Sequence, residues 1–330
     1  MGSRRRHSSL DGVSALPVVQ EPDRPTELAS GGPNAIAIAL GLMSDEWNLQ
    51  LLRFALGGAT RYAEFRAELP ISNSVLSGRL NWLTEAGLFE RSQYEERPAR
   101  YEYQLTARGR STWQVLTAIW MWERRWFDRG GELPKLGHKG CSGDVEVAMG
   151  CSVCHEPAHA RNVTGSFGPS GGWKRSVPAG ATRRRSDDRE APQFPKTMSL
   201  LGNRWSSAIV GAMFQGVHAF KDFEALLEIS PTLLSQRLTM LTENGIVAAS
   251  PSEQRSDWKA YRLTEQGIDF FSVIAFVFDW AQSWFVAPEG PSFVMTHSDC
   301  SAEFHPELIC TTCGRRADAE DLEVLTKSLV

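Results

Sequence analysis

All six cysteines of the chain, with two of its seven histidines, fall into one pattern that occurs twice. The stretch "GHKGCSGDVEVAMGCSVCHEP" sets out His138, Cys141, Cys151 and Cys154 as His-x2-Cys-x9-Cys-x2-Cys, and "THSDCSAEFHPELICTTCGRR" sets out His297, Cys300, Cys310 and Cys313 with the same spacings. Cys-x2-Cys holds two thiolates in one tight turn, and His-x2-Cys adds two ligands of matching softness. Taken along the chain, each set makes a closed Cys3His tetrahedron, the geometry of structural zinc, with no open position for a catalytic water. Two zinc ions are expected, each holding a segment too small for its own apolar core. Redox-active thiols and a metal-free remnant are the competing readings. His155, His159 and His305 lie near enough in sequence to replace the assigned histidines.

The bulk composition narrows the class. With 330 residues, 42% hydrophobic and 22% charged, the chain has the make-up of a folded protein of two or three domains. No apolar run approaches the roughly 20 residues that span a bilayer, and no signal-type stretch follows the charged start "MGSRRRHSSLDG". A cytoplasmic location is expected, where thiols stay reduced and paired cysteines serve metals more often than disulfides. A net charge of −4 gives no global sign of nucleic-acid affinity, so any such surface must be local. There is no nucleotide-binding loop, no nucleophile triad and no open metal site, so enzymatic activity is not expected.

The elements that must position these residues come from a duplication. An offset of 158 residues links Trp47 to Trp205, "VLSGRLNWLTEAGLF" (75–89) to "LLSQRLTMLTENGIV" (233–247), "YQLTARG" (103–109) to "YRLTEQG" (261–267) and "WERRWF" (122–127) to "WAQSWF" (280–285). The Cys/His pattern repeats at 159. The fold class expected is α+β, mainly α: two winged helix-turn-helix domains in tandem, each followed by a small zinc-ribbon-like Cys/His module. The boundaries read as a disordered tail 1–33, winged helix 34–130, Cys3His module 131–160, flexible linker 161–192, winged helix 193–288, Cys3His module 289–318 and tail 319–330.

Each copy reads helix, helix, helix, two strands, helix. In the third helix Leu76, Leu80 and Leu83 share one apolar face, as do Leu234, Leu238 and Leu241. Ser72 suits an N-cap, Pro231 suits the first helical position, and Gly87 and Gly245 suit the C-terminal cap. The opposite face is small and polar: Asn73, Ser74, Ser77, Gly78 and Asn81, then Thr232, Ser235, Gln236 and Thr239. Such a face lets a helix approach base edges and exchange hydrogen bonds with them. Arg61, Arg66, Arg97 and Arg100, with Lys221, Arg255 and Lys259, are the candidate phosphate contacts from the preceding helix and the wing. Arg79 and Arg237 lie towards the inner edge of the recognition helices, where an internal ion pair competes with a phosphate contact. In the last helix Trp113, Leu116, Trp120 and Phe127, matched by Phe271, Ile274, Phe278 and Phe285, form an aromatic stripe for the core or a dimer interface. A pocket for an aromatic effector is the alternative.

With the "IS-x3-LS-x-RL-x2-LTE-x-G" segment, the wing ending in "Y-x-LT-x2-G", the Trp of "SDEW" and "GNRW" and the paired tryptophans of the last helix, both copies resemble HxlR-type winged helix-turn-helix transcriptional regulators over about 36–128 and 194–286. The resemblance implies a regulator of double-stranded DNA whose last helix and N-terminal region make the dimer contacts. It departs from the family in lacking a cysteine before the first helix, and the second wing lacks the Arg91, Tyr94, Pro98 pattern of the first. The expected function is a transcriptional regulator, a repressor, reading a two-half-site operator. The alternative is a protein-interaction adaptor. The copies could pair within one chain as a pseudo-dimer, with recognition helices roughly 34 Å apart, or between two chains as a homodimer with four winged helices.

Overall fold

A computed structural model describes residues 19, 21–97, 99–128, 133–177, 194–251 and 258–325. The first copy runs β1 (Thr26–Glu27), α1 (Ala35–Met43), α2 (Glu46–Leu56), α3 (Tyr62–Glu68), α4 (Asn73–Glu85), the hairpin β2 (Phe89–Glu96) and β3 (Ala99–Leu105), the short α5 (Ala107–Arg110) and α6 (Trp113–Phe127). Three strands follow, β4 (Lys135–His138), β5 (Val147–Cys151) and β6 (Val163–Phe167), then the single turn α7 (Trp173–Ser176). The second copy repeats the order with α8 (Pro195–Leu201), α9 (Arg204–Phe214), α10 (Phe220–Leu227), α11 (Pro231–Glu243), β7 (Val247–Pro251), β8 (Lys259–Leu263), α12 (Glu265–Asp269), α13 (Phe271–Trp284), β9 (Phe285–Val286), β10 (Phe293–His297), β11 (Pro306–Cys310) and β12 (Leu322–Leu325). Among the described residues no helix is long and apolar enough to cross a membrane.

Within each copy the winged helix assembles as its apolar spacing requires. Leu76, Leu80 and Leu83 on α4, and Leu234, Leu238 and Leu241 on α11, are buried. Ser72 Oγ accepts the Val75 N–H at 3.4 Å, whereas α11 starts on Pro231 with no side-chain cap bond from Ser230. Gly87 and Gly245 take φ of +74° and +72° just past these helices, a conformation that costs a side-chain-bearing residue more than glycine. The aromatic segment does not begin as one long helix: a separate short helix, α5 or α12, precedes it in each copy.

The two copies do not stand apart. Strand β5 pairs antiparallel with β11, β4 with β12, and β10 with β6, so each partnership joins one copy to the other. In β5–β11, Met149 faces Leu308, the same repeat position, so a local two-fold relation passes between them. It extends outward: Ser152 N–H donates to His305 O and Thr311 N–H to Glu146 O, both at 3.0 Å, while Lys139 and Ser298 donate to Asp321 and Asn162 at 2.9 and 2.8 Å. At the aromatic helices Trp122 Nε1 donates to Gln266 O (2.8 Å) and its repeat partner Trp280 Nε1 to Arg108 O (3.2 Å). Trp126 donates to Asp269 Oδ2 (2.7 Å) and Trp284 to Ser111 Oγ (2.8 Å). Residue i of one copy meets residue j of the other and the reverse, the hallmark of an isologous interface. Helix α1, apolar almost all round, packs across α13 of the other copy.

This exchange corrects the expected boundaries. Part of the tail 1–33 is built in: β1 pairs with β9 in parallel, Ala107 N–H donates to Asp23, and the buried Arg108 guanidinium donates to Arg24 O and Thr26 Oγ1, both at 2.8 Å. The expected linker 161–192 contains β6 and α7 up to residue 177, and the expected tail 319–330 contains β12. The remainder of these spans, 1–18, 20, 178–192 and 326–330, lies outside the described residues. The modules 131–160 and 289–318 are not self-contained, because each strand there finds its hydrogen-bonding partner in the opposite copy.

Trp122 is 1% exposed and packs edge-on against Phe270 of the other copy, with ring centroids 4.8 Å apart. Trp122→Ala is therefore expected to cost about 3–5 kcal/mol in chemical denaturation, while Asn81→Ala, on an exposed face, stays within about 0.5 kcal/mol of the parent.

Candidate nucleic-acid interface and paired Cys/His centres

The outer faces of α4 and α11 carry the predicted small polar set. Asn73, Ser74, Gly78 and Asn81 are exposed and Ser77 is half-buried, while Thr232, Ser235, Gln236 and Thr239 are all exposed. On α4 the set is organised by a residue absent from the sequence-based list, Tyr62. Its hydroxyl donates to Asn73 O at 3.2 Å and accepts from Ser77 Oγ at 3.5 Å. Arg66 Nε donates to Asn73 Oδ1 at 3.0 Å, so this predicted phosphate contact also fixes the Asn73 amide. No spacing rule would have found Tyr62, since the second copy has Phe220 at that repeat position.

The predicted cations surround these faces. Arg61, Arg97, Arg100, Lys221 and Lys259 are all exposed. Arg61 lies over the Tyr94 ring at 5.0 Å, and Lys221 over Trp258, at the base of the second wing, at 4.9 Å. Arg100 Nε is 3.2 Å from Glu95 Oε2. That exposed pair is worth little, so it can exchange for a phosphate. Arg255 falls outside the described residues. Arg91 stacks on Tyr101 at 3.6 Å and serves the packing of the wing. Arg79 is ion-paired with Asp45, the cap of α2, at 2.5 Å, which favours the internal-pair reading for that residue.

The predicted interface residues divide. Leu116 and Phe285 are buried; Trp113, Trp120, Phe127, Phe271, Ile274 and Phe278 are half-buried. Phe127 meets Lys196 of the other copy at 5.6 Å, and Phe278 packs on Phe293 at 5.4 Å. The polar seam between copies is carried instead by Trp122, Trp126, Trp280 and Trp284. Their W-x3-W repeat was visible in the sequence, but it does not say which way the indoles point.

The cysteines and histidines form two clusters, and their membership differs from the order along the chain. His138 and Cys141 gather with Cys310 and Cys313; Cys151 and Cys154 gather with His297 and Cys300. This corrects the grouping expected from spacing: each cluster takes the His-x2-Cys turn of one copy and the Cys-x2-Cys turn of the other. The physical reason is the β5–β11 ladder. It runs antiparallel, so Cys151 and Cys310 end at opposite ends of the pair, each beside the other copy's histidine turn.

The geometry of both clusters is nearly identical. In the first, His138 Nδ1 is 3.4 Å from Cys141 Sγ and 3.5 Å from Cys313 Sγ, and Cys141 and Cys310 sulfurs are 3.9 Å apart. In the second, His297 Nδ1 is 3.4 Å from both Cys154 and Cys300 sulfurs, and Cys151 and Cys300 are 3.9 Å apart. The edges of a tetrahedron with Zn–N of ~2.0 Å and Zn–S of ~2.3 Å are about 3.5 and 3.8 Å. The donor sets therefore fit a tetrahedral ion of that size. Turn hydrogen bonds hold them: Cys141 N–H to His138 O, Ser301 to His297, His155 to Cys151 and Gly314 to Cys310, at 2.7–2.9 Å. His155 and Gly314 occupy one repeat position with φ of +61° and +70°, the left-handed bend that closes a Cys-x2-Cys turn. Burial opposes ionisation of Cys151, but the N–H groups of Cys154 and Val153 outweigh it and lower its pKa. The Arg315 N–H and guanidinium draw the Cys313 thiol down to about 6. His297 Nε2 is buried, 3.3 Å from Asp299 Oδ2 without hydrogen-bond geometry. The three histidines considered as replacement ligands are engaged elsewhere. His155 bonds Glu307 (2.8 Å), His305 bonds Asp279 (2.7 Å), and His159 Nδ1 accepts from Arg161 N–H (3.2 Å).

The uncharacterized HTH-type transcriptional regulator Rv3095 of Mycobacterium tuberculosis is 35% identical over 133 residues, 40% of this chain and 84% of its own length. The HTH-type transcriptional regulator YodB of Bacillus subtilis is 32% identical over 94 residues, 28% of this chain and 80% of its own. The Pseudomonas aeruginosa structure PA1374 shares 32% identity over 43% of this chain and 97% of its own, with a TM-score of 0.34. The HxlR-like helix-turn-helix family matches residues 42–130 and 200–289, more than half of the chain and once in each copy. The chain therefore belongs to the HxlR-like helix-turn-helix family, a family of DNA-binding transcriptional regulators rather than enzymes, and carries its unit in tandem.

Proposed function

We propose that one chain acts as a complete two-headed repressor, binding an operator of two unlike half-sites in the cytoplasm. The supporting observation is that two exposed small-polar helix faces, α4 and α11, each flanked by exposed cations, belong to copies locked together by reciprocal tryptophan bonds. The faces differ in chemistry. Where α4 presents Ser74, Gly78 and Asn81, α11 presents Thr232, Gln236 and Thr239. Asparagine and glutamine pair bidentately with adenine, whereas threonine bonds either kind of edge and packs on thymine methyls. The half-sites should differ accordingly.

Genomic-fragment selection followed by gel shift tests this. Gln236→Ala and Asn81→Ala should weaken the selected site by roughly 1–3 kcal/mol and leave random DNA little changed. Arg97→Ala should weaken both and reduce the salt slope by about 1. Equal losses on both DNAs in all three variants would remove the division between base and phosphate contacts. The absence of any salt-dependent shift would leave the adaptor reading in its place.

The clusters are proposed to hold two structural zinc ions per chain. Their crossed membership gives a sharp test by metal analysis. Cys141→Ser with Cys151→Ser, two changes in one copy, should remove both ions. Cys141→Ser with Cys310→Ser, one change in each copy, should remove one. Clusters closed within each copy would give the reverse.

A further inference from the structure

Between the copies lies an apolar cavity that the DNA-reading function does not use. It is bounded by α9, α13 and β10 of the second copy and by α1, β6 and α7 of the first, and holds roughly 110 Å³. For scale, an engineered apolar cavity of about 150 Å³ binds benzene. Its walls are aromatic: Trp173, Phe271, Phe278 and Phe293 face it, with Phe278 and Phe293 packed edge to face at 5.4 Å. Such rings favour a guest that continues edge-to-face or offset stacking. Polar residues on the lining are few: Ser176, Arg204, Ser207 and Gln215. That combination is the usual composition of a small-molecule site.

Comparison of the two copies shows how the space is opened. Ala208 and Gly211 line it on α9. The same repeat positions on α2 hold Gln50 and Arg53, two long side chains hydrogen-bonded to each other at 3.1 Å, with Gln50 buried. A Cβ on Gly211 would come within 3.5 Å of the Trp173 ring, so anything larger intrudes on the cavity wall. The first copy thus shows that these helix positions accommodate long side chains.

From this we propose that the cavity is a binding site for a small, mainly apolar aromatic molecule, a site built around the second copy's α9 and closed by the first copy. Its position gives it leverage. Phe214 and Gln215 end α9 and lead directly to α10 and the recognition helix α11. Trp173 begins α7, which packs against α10 just ahead of the left-handed turn at Glu228 that leads into α11. A guest that moves Trp173 or Phe214 therefore tilts one reading head against the other. The consequence for DNA rests on the function proposed above; the binding site itself does not.

The test uses the full chain with toluene, phenol and indole as probes, followed by ligand-observed saturation-transfer NMR and thermal shift. At least one probe should bind saturably, and Ala208→Gln and Gly211→Arg should each weaken it at least tenfold while far-UV circular dichroism stays unchanged. If Gly211→Arg fails to fold, Ala208→Gln carries the comparison. No saturable binding by any probe, or binding that survives the folded filling variants, overturns the proposal. Probe binding in a chain that shifts no DNA would keep the site and remove only the regulatory consequence.

Discussion

The strands that end in the clustered cysteines and histidines are each hydrogen-bonded to the other copy, and the rest of the molecule follows from that. A two-stranded ladder of four or five residues has little stability alone. Here three such ladders are joined through shared turns and set against the aromatic helices, so none has to persist by itself. The same pairing brings a histidine turn from one copy to a double-cysteine turn from the other, at separations of 3.4–3.9 Å. It also fixes where α6 and α13 meet, and so where the four indole N–H groups find their partners. The buried indoles of Trp122 and Trp280 would each carry the cost of an unpaired donor without its partner, so the reciprocal set holds the copies in one relative position.

Much of this was legible in the sequence. The leucine spacing of α4 and α11, the glycines past their ends and the offset of 158 defined both winged helices and their polar faces, because those patterns depend on residues close in sequence. The eight ligand-type residues were also found. Their partners were misassigned, because spacing describes a turn but not which strand lies beside it. A duplicated pattern is compatible with closure within a copy or between copies, and local preferences for the two are equal. The segment 161–177 was read as linker for a related reason. Its Gly and Ser content is that of a flexible chain, and only its β10 partner, 130 residues away, makes Val163–Phe167 a strand.

Tandem duplication also frees the two halves from identity. In a symmetric dimer any substitution appears twice. Here Gln50 and Arg53 stand on one helix where the small Ala208 and Gly211 line a cavity on the other, and Asp45 pairs Arg79 where Asn203 caps the matching helix without a carboxylate. The polar faces of α4 and α11 have diverged in the same way. The structure retains two-fold geometry in its backbone ladder and indole bonds, and spends its asymmetry on the surfaces and the cavity.

The crossed clusters bear on the order in which the chain can be completed. During synthesis, His138, Cys141, Cys151 and Cys154 emerge first, but neither of their sites is whole until Cys300 and then Cys313 follow, the last of them 159 residues after Cys154. At about 5–20 residues per second this interval is on the order of ten seconds. Throughout it the first winged helix can fold while its thiols stay without their full set of companions. A truncated product ending before Cys300 would keep that exposure permanently, so both centres close only once the chain has been made through Cys313 of the second copy.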